Sequence, residues 1–172
     1  MTELVLERTF DPPRTPEEVR RQGRDGNWCF EAYRVRWLGS FLSSDGHAVV
    51  CRFSAPDAES TRIALRRLGA DTRLLWPASI VEGPNRGPPN VLVRRVFPEP
   101  VTFEDVQEQE NAAAACLRMH RVKFVRTFFS LDRRRMVCFY QAPDAEAVRV
   151  VQREAALPFE AIWAFQPVTL DA

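Results

Sequence analysis

Residues 49–59 read VVCRFSAPDAE, and residues 136–146 read MVCFYQAPDAE. The two stretches lie 87 positions apart, and this offset aligns the chain with itself without a gap from Leu4/Val91 to Val81/Val168. Two copies of a unit of about 80 residues predict two similar domains, because solenoid arrays usually need about three or more shorter repeats. We therefore expect repeat 1 at residues 1–82, a linker rich in Pro and Gly at 83–90, and repeat 2 at 91–172.

Each copy shows the same order of predicted elements. An apolar run at residues 4–10 or 91–97 predicts a strand, and Thr15 or Thr102, followed by acids, predicts a helix N-cap. Two strands joined by a tight turn follow, then a helix capped by Asp57 or Asp144, then a strand through a tryptophan. This βαββαβ order is the ferredoxin-like arrangement, so the predicted fold class is α+β with two tandem ferredoxin-like units.

The second predicted strand suggests how the two units associate. Strict alternation places Val35, Trp37, Gly39 and Phe41 on one face of the sheet. Helices can cover only one face of such a sheet, and the other face is also apolar. We therefore expect an intrachain pseudo-dimer with the two sheets packed as a sandwich or an α+β barrel.

Composition excludes several classes of partner. The chain has 24 Lys+Arg against 23 Asp+Glu, so nucleic acid is not an expected partner. No stretch approaches the roughly 20 apolar residues of a membrane span, and the N-terminus lacks the features of a signal peptide. The four cysteines occupy equivalent positions in the two copies, and none forms a CxxC motif. This pattern predicts free thiols. We expect a cytoplasmic monomer without a membrane partner, and leave a further homodimer open.

The strand at residues 37–41, with Cys51 two positions before an aromatic residue and the APDAE run at 55–59, resembles a known family. It is a bacterial domain-of-unknown-function family typified by a small nickel-binding ferredoxin-like protein, and the same pattern recurs in repeat 2. The resemblance implies paired ferredoxin-like units that bind nickel.

The resemblance also implies a histidine in the second strand and another in the second helix. Those positions hold Gly39 and Arg126, then Ala64 and Val151, none of which is an ordinary nickel ligand. The two histidines, His47 and His120, are not equivalent in the repeat, because they align with Arg134 and Tyr33. We expect no cofactor, with nickel or another divalent metal at these histidines as the weaker alternative.

Arg8 and Arg95 are in phase with the apolar residues of the first strand of each copy. A guanidinium on an apolar face needs an anionic partner, because burial of an unpaired charge is costly. The partner is either a carboxylate or phosphate ligand, which would make the arginine an anion clamp, or an internal acid such as Glu7 or Glu31. The remaining alternative is an arginine at the sheet edge whose charged group reaches solvent.

Further candidates occur where the copies differ or where reactive groups lie. Arg126 replaces Gly39, and we expect it on the same side of the strand as Phe124 and Phe128. Cys51 and Cys138 lie in the middle of their strands. His47 lies four residues before Cys51, about 13 Å away along the strand, which is too far for a direct hydrogen bond to the thiol. The candidate ligand-binding residues are Arg8, Arg95, Arg126, His120, Tyr33, Glu7, Trp37, Cys51 and Cys138.

These observations predict a small-ligand-binding protein in which the metal binding of the family has been lost. The alternative is a cofactor-independent α+β-barrel enzyme, of the isomerase, cyclase or monooxygenase type, acting on a small aromatic or apolar substrate. No catalytic residue is identified, and a structural or partner-binding module stays open. We expect a ligand to be held where the copies disagree, at Gly39/Arg126, His47/Arg134, Tyr33/His120 and Glu7/Arg94.

Overall fold

The computed structural model describes residues 1–171, and within that range the fold is α+β with eight strands and five helices. The elements follow the order βαββαβ twice, with the helix between the fifth and sixth strands divided in two. Their bounds are β1 Thr2–Thr9, α1 Pro16–Ala32, β2 Arg36–Ser43, β3 Ala48–Ala55, α2 Ala58–Arg67, β4 Leu75–Glu82, β5 Val91–Val96, α3 Phe103–Asn111, α4 Ala114–Met119, β6 Lys123–Ser130, β7 Arg135–Gln141, α5 Ala145–Glu154 and β8 Ala161–Val168.

The chain divides into two compact units, whose bounds fall inside β4 and β8. Unit 1 comprises Met1–Ala78 with residues 165–171, and unit 2 comprises Ser79–Ala164. The repeat bounds and the pseudo-dimeric pairing of the sheets stay predictions. No helix within residues 1–171 is long and apolar enough to cross a membrane.

Unit 1 has an antiparallel sheet in which β1 pairs with β3 and β4, and β2 pairs with β3 and with residues 165–168 of β8. This order is the one expected of a ferredoxin-like unit. The sheet face that carries Leu6, Cys51 and Phe53 packs against buried side chains of α1 and α2, including Phe30 and Leu65. The core of unit 1 therefore lies between one sheet face and its two helices.

The N-terminus of α1 has the cap that the sequence predicted. The Thr15 hydroxyl accepts a hydrogen bond from the Glu18 amide at 3.2 Å, and the Glu18 carboxylate accepts one from the Thr15 amide at 2.7 Å. This capping box satisfies two backbone donors that would otherwise lack partners. It fixes the start of a helix that then runs without interruption to Ala32.

Unit 2 repeats the strand order, with β5 between β7 and residues 161–164 of β8, and β6 beside β7. Its first helix differs from α1, which runs without interruption to Ala32. The helix ends at Asn111 and a short helix begins at Ala114, because the Ala113 amide bonds to the carbonyl of Glu110 and tightens the turn.

A β-bulge in β2 corrects the predicted facing of its side chains. The register shifts between Trp37 and Gly39, so that Trp37 lies opposite Phe53 and Ser40 lies opposite Cys51. The extra residue reverses the alternation, and Ser40, not Gly39, shares the helix-covered face with Trp37. The expectation that Gly39 and Phe41 share a face with Trp37 was therefore wrong.

The same irregularity occurs in β6, where the register shifts between Phe124 and Arg126. Phe124 lies opposite Tyr140, whereas Arg126 lies opposite Phe139 and shares a face with Phe128. The expectation that Arg126 lies on the side of Phe124 was thus wrong for the same physical reason.

Candidate functional site

Unit 1 contains a cavity of about 390 Å³ between the helix-covered face of its sheet and helices α1 and α2. Strand β1 contributes alternate residues, and β2 and β3 contribute the residues that the bulge brings to the same face. Exposed lining residues such as Gln22 and Asp25 mark the side that opens to solvent. The lining is Leu6, Arg8, Phe10, Arg14, Val19, Gln22, Gly23, Asp25, Gly26, Phe30, Trp37, Ser40, Val49, Cys51, Phe53, Leu65, Leu68, Gly69 and Ala70.

Two buried glycines of α1 give the cavity its wall. A Cβ at Gly23 would overlap the ring of Trp37, and a Cβ at Gly26 would come within 2.7 Å of the Leu68 side chain. Glycine inside a helix costs roughly 1 kcal/mol relative to alanine. The glycines therefore allow Trp37 and Leu68 to lie directly against the helix backbone beside the cavity.

The indole of Trp37 is fixed by a chain of hydrogen bonds. Its Nε1 donates to the Ser40 hydroxyl at 2.9 Å, and that hydroxyl donates to the sulfur of Cys51 at 2.9 Å. The ring is thus held by both packing and hydrogen bonding. It presents a fixed aromatic surface to the cavity.

Two arginines make one end of the cavity cationic. The guanidinium carbons of Arg8 and Arg14 lie 5.0 and 5.1 Å from the centroid of the Phe10 ring. Within residues 1–171 the Arg8 guanidinium has no carboxylate at ion-pair distance, since Asp71 acts on it from further away and pairs with Arg73 at 2.6 Å. Burial, together with the nearby charge of Arg14, lowers the pKa of Arg8 from its ordinary value.

The matching arginine of unit 2 has a different environment. Arg95 is fully buried and donates to the Tyr140 hydroxyl at 3.1 Å, to the amide oxygen of Gln152 at 2.5 Å and to the Pro158 carbonyl at 3.0 Å. The carboxylate of Glu110 lies 3.9 Å from Arg95 and accepts a hydrogen bond from Tyr140. Arg95 is therefore neutralised inside the protein, as the internal-ion-pair alternative predicted, with Glu110 as the acid.

The interior of unit 2 is filled where unit 1 is hollow. The void beside Arg95 measures only about 10 Å³. Several cavity-lining residues of unit 1 have a larger residue 87 positions later. These pairs are Gly23/Glu110, Gly26/Ala113, Val49/Met136 and Ala70/Leu157.

The two mid-strand cysteines are poor nucleophiles. Burial raises the pKa of the Cys51 thiol, although the Ser40 hydroxyl and Arg8 act in the opposite direction. Burial likewise raises the pKa of Cys138, against the effect of Arg95. Because the thiolate is the reactive form, both groups are held as inert thiols.

The remaining predicted site residues lie outside the cavity lining. Glu7 accepts a hydrogen bond from the Trp76 indole at 2.8 Å, and Tyr33 caps α1 beneath the Arg67 guanidinium. Arg126 lies 3.3 Å from the Glu82 carboxylate, and His120 caps α4. Of the nine candidates, the structure brings Arg8, Trp37 and Cys51 together at the cavity.

The residues present do not fit a nickel site. His47 is exposed, with Nδ1 2.9 Å from the Phe10 carbonyl, and no group of three His, Cys, Asp or Glu that could hold a metal occurs in the part of the chain that the structure describes. The positions where the resemblance implies ligands hold hydrocarbon, glycine or guanidinium groups. Nitrogen, oxygen or sulfur donors are needed to bind nickel.

Sequence reasoning missed the residues that distinguish the two interiors. Arg14, Gly23 and Gly26 line the cavity, while Glu110 and Gln152 fill the matching space in unit 2. The signal was available, since two glycines inside a predicted helix are unfavourable unless packing requires them.

Comparison with known proteins shows a family similarity in the second half of the chain. The profile of the family described as "Nickel responsive protein SCO4226-like" matches residues 92–164. The crystal structure of SCO4226 from Streptomyces coelicolor A3(2) is 19% identical and covers 42% of this chain and 90% of its own, with a TM-score of 0.38. No curated protein matches the chain.

Two longer structural matches show the fold of the whole chain. The putative chlorite dismutase TA0507 is 15% identical, with a TM-score of 0.52 over 97% of this chain and 94% of its own. A variant chlorite dismutase from Candidatus Nitrospira defluvii, in complex with cyanide, is 15% identical, with a TM-score of 0.53 over 99% and 91% of the two chains. The likeness at this identity concerns the fold alone, and residues 92–164 are the part of the chain that is similar to the SCO4226-like family.

Proposed function

We propose that the protein binds a small, largely apolar molecule in the unit 1 cavity. A volume of about 390 Å³ lies in the range of small-molecule sites, which are mostly apolar with a few polar groups. Phe30, Trp37 and Phe53 supply aromatic surface, while the polar groups collect near Arg8 and Arg14.

The observation that carries this proposal is the difference between the copies. One ancestral unit has become two interiors, and one of them has about 390 Å³ of space where the other has about 10 Å³. The cavity opens to solvent beside Gln22 and Asp25, so its apolar lining is exposed to water when no ligand is bound. A bound ligand would remove that apolar surface from water, which favours binding.

Binding is favoured over catalysis by the groups that line the cavity. Its titratable side chains are Arg8, Arg14, Asp25 and Cys51. Burial keeps Cys51 in the thiol form, and Asp25 is exposed. The candidates Arg126 and His120 do not line this cavity, so catalysis stays the weaker hypothesis.

The cavity can be filled with residues that the chain itself uses elsewhere. In the Val49→Met/Ala70→Leu variant, both positions take the residue found 87 positions later in the packed interior. We expect the neutral probe N-phenyl-1-naphthylamine to bind the unaltered protein at one site per chain with increased fluorescence. The variant should bind the probe at least about tenfold more weakly, since filling removes the apolar surface that the probe would bury.

The control is Ala115→Leu, which adds a similar side chain at an exposed position of α4. Its affinity for the probe should equal that of the unaltered protein, and circular dichroism should show that both variants keep the fold. Absence of binding to the unaltered protein, or equal binding by the filled variant, would contradict the proposal.

A further inference from the structure

We propose that the ligand of the unit 1 cavity carries a carboxylate, which Arg8 binds in the role that Glu110 has toward Arg95; this inference rests on the proposed function. The structure contains two versions of one arginine in one fold. Unit 2 therefore shows which partners this arginine needs when it is fully buried.

The partners of Arg95 that carry a carboxylate, a hydroxyl or an amide are lost at the matching positions of unit 1, whereas Cys138 is matched by Cys51. The residues 87 positions before Glu110, Tyr140 and Gln152 are Gly23, Phe53 and Leu65. These three replacements remove a carboxylate, a hydroxyl and an amide. All three also line the cavity.

The arginine itself is retained although these three partners are gone. A guanidinium next to Leu6, Phe10 and Cys51 is partly removed from water, and this burial favours its neutral form over its charged form. Replacement by an apolar residue would relieve that cost. An anionic group of a bound ligand would also relieve the cost of burying the Arg8 charge. It would occupy the space that Glu110, Tyr140 and Gln152 fill in unit 2.

A second cation appears only in the copy that has the cavity. The guanidinium groups of Arg14 and Arg8 both lie over the Phe10 ring, whereas the residue of unit 2 that matches Arg14 is Val101. The charged lining residues are Arg8, Arg14 and the exposed Asp25 at the mouth, so positive charge exceeds negative charge by one. One anionic group on the ligand restores the balance that Glu110 provides in unit 2.

The charge of the lining indicates a carboxylate more than a phosphate ester. Trp37 Nε1 and the Ser40 hydroxyl already donate within the protein, which leaves the two guanidinium groups, the exposed Gln22 amide and the weak thiol donor of Cys51 as the side-chain donors of the lining. A guanidinium fork matches the oxygens of a carboxylate and of a phosphate alike. A carboxylate brings the one negative charge that balances the lining, whereas a phosphate monoester brings nearly two.

The test compares matched probes that differ in one group. We expect 2-naphthoate to bind at least about tenfold more tightly than 2-naphthamide by titration calorimetry, because a hydrogen bond to a charged group contributes more than a neutral one. Arg8→Met should remove this preference, and Arg8→Lys should retain part of it. Arg14→Met should weaken naphthoate binding by about two- to fivefold, as expected for a more exposed charge.

Arg21→Met is the matched control, since it removes the same charge from an exposed position of α1 that does not line the cavity. It should leave both affinities unchanged. Equal binding of naphthoate and naphthamide would overturn the carboxylate inference while leaving the cavity proposal standing. Tighter binding of 1-naphthyl phosphate than of either naphthalene carboxylate would also overturn it. Failure of every probe, N-phenyl-1-naphthylamine included, would overturn both proposals.

Discussion

A guanidinium inside a protein must be matched by negative charge or hydrogen-bond acceptors, and the two copies of one arginine meet that need differently. Arg95 is enclosed by Glu110, Tyr140 and Gln152, whereas Arg8 borders a cavity. The duplication therefore provides an internal comparison, since the fold is held constant while the partners change. The charge of Arg8 is the feature from which a ligand's chemistry can be inferred.

Removal of the acid in unit 2 should be costly. Glu110→Ala leaves the fully buried Arg95 without its carboxylate, so we expect the free energy of unfolding to fall by about 3 kcal/mol in urea denaturation. Glu108→Ala, at an exposed position of the same helix, should change it by less than about 0.5 kcal/mol. Equal effects of the two substitutions would contradict the assigned role of Glu110.

Buried thiols should make the protein less stable in mild alkali. Burial raises the pKa values of Cys51 and Cys138 in the folded state, whereas thiols of the unfolded chain ionise near pH 8.5. The unfolded state then binds fewer protons than the native state, so the free energy of unfolding falls as pH rises above about 8. The decline approaches about 1.4 kcal/mol per pH unit for each thiol.

Urea denaturation at intervals between pH 7 and 9.5 measures this decline. The Cys51→Ala/Cys138→Ala variant removes both groups and should show a shallower pH dependence than the unaltered protein. Identical slopes would mean that the thiols ionise equally in both states.

At the scale of elements, the predicted pattern of strands and helices was sufficient to give the βαββαβ order and the caps at Thr15 and Asp57. Alternation failed past Trp37, because a bulge is set by the pairing of β2 with β3 and leaves no clear local signal. The division of the first helix of unit 2 near Ala113 was also missed. These errors moved the predicted site toward Gly39 and Arg126, away from the helix glycines that form the cavity wall.

Backbone geometry at the bulge gives a separate prediction. Gly39 has φ +136°, and a Cβ there would lie 3.3 Å from the Val168 carbonyl oxygen. We expect Gly39→Ala to lower the free energy of unfolding by about 1–3 kcal/mol, the usual cost of a strained backbone conformation. Thermal or urea unfolding measures this change.

Gly69→Ala is the matched control for Gly39→Ala. Gly69 also has a positive φ, of +79°, but no atom lies within 4 Å of the position that a Cβ would occupy, and this left-handed conformation is less strained for alanine. Its effect should be clearly smaller. A larger loss at Gly69 would contradict the account of the bulge.

At the scale of the whole molecule, repetition predicted two related units, while the proposed function depends on how their interiors differ. Comparison of aligned residues identified differences such as Tyr33/His120. It could not show which differences bear on a ligand site, because the sequence does not reveal which residues line a cavity. The volume of a cavity depends on many side chains together. The difference between Gly23 and Glu110 can be interpreted only once the structure shows that Gly23 packs against Trp37 and that Glu110 lies near Arg95. The chemistry of the site was therefore partly visible in sequence, through Arg8, while its location was not.

The family match does not bring a nickel site with it. We expect addition of one equivalent of Ni²⁺ to leave the melting temperature unchanged, because a metal that binds the native state raises stability by mass action and no suitable donor group is present within residues 1–171. Native mass spectrometry with metal analysis should find no stoichiometric nickel. One nickel ion per chain, lost on His47→Ala, would contradict this prediction.

The most direct test of a single anion-binding cavity in unit 1 is an NMR titration of the full chain with 2-naphthoate, observed through the indole N–H signals of its four tryptophans. Trp37 lines the cavity, whereas Trp28 is exposed and Trp76 donates to Glu7 outside the lining. The account predicts that the Trp37 signal shifts and saturates at one ligand per chain, with the amides of Gly23 and Gly26, and that Arg8→Met weakens the response at least about tenfold. Shifts centred on Arg95 and Glu110, or no saturable shift at Trp37, would contradict it.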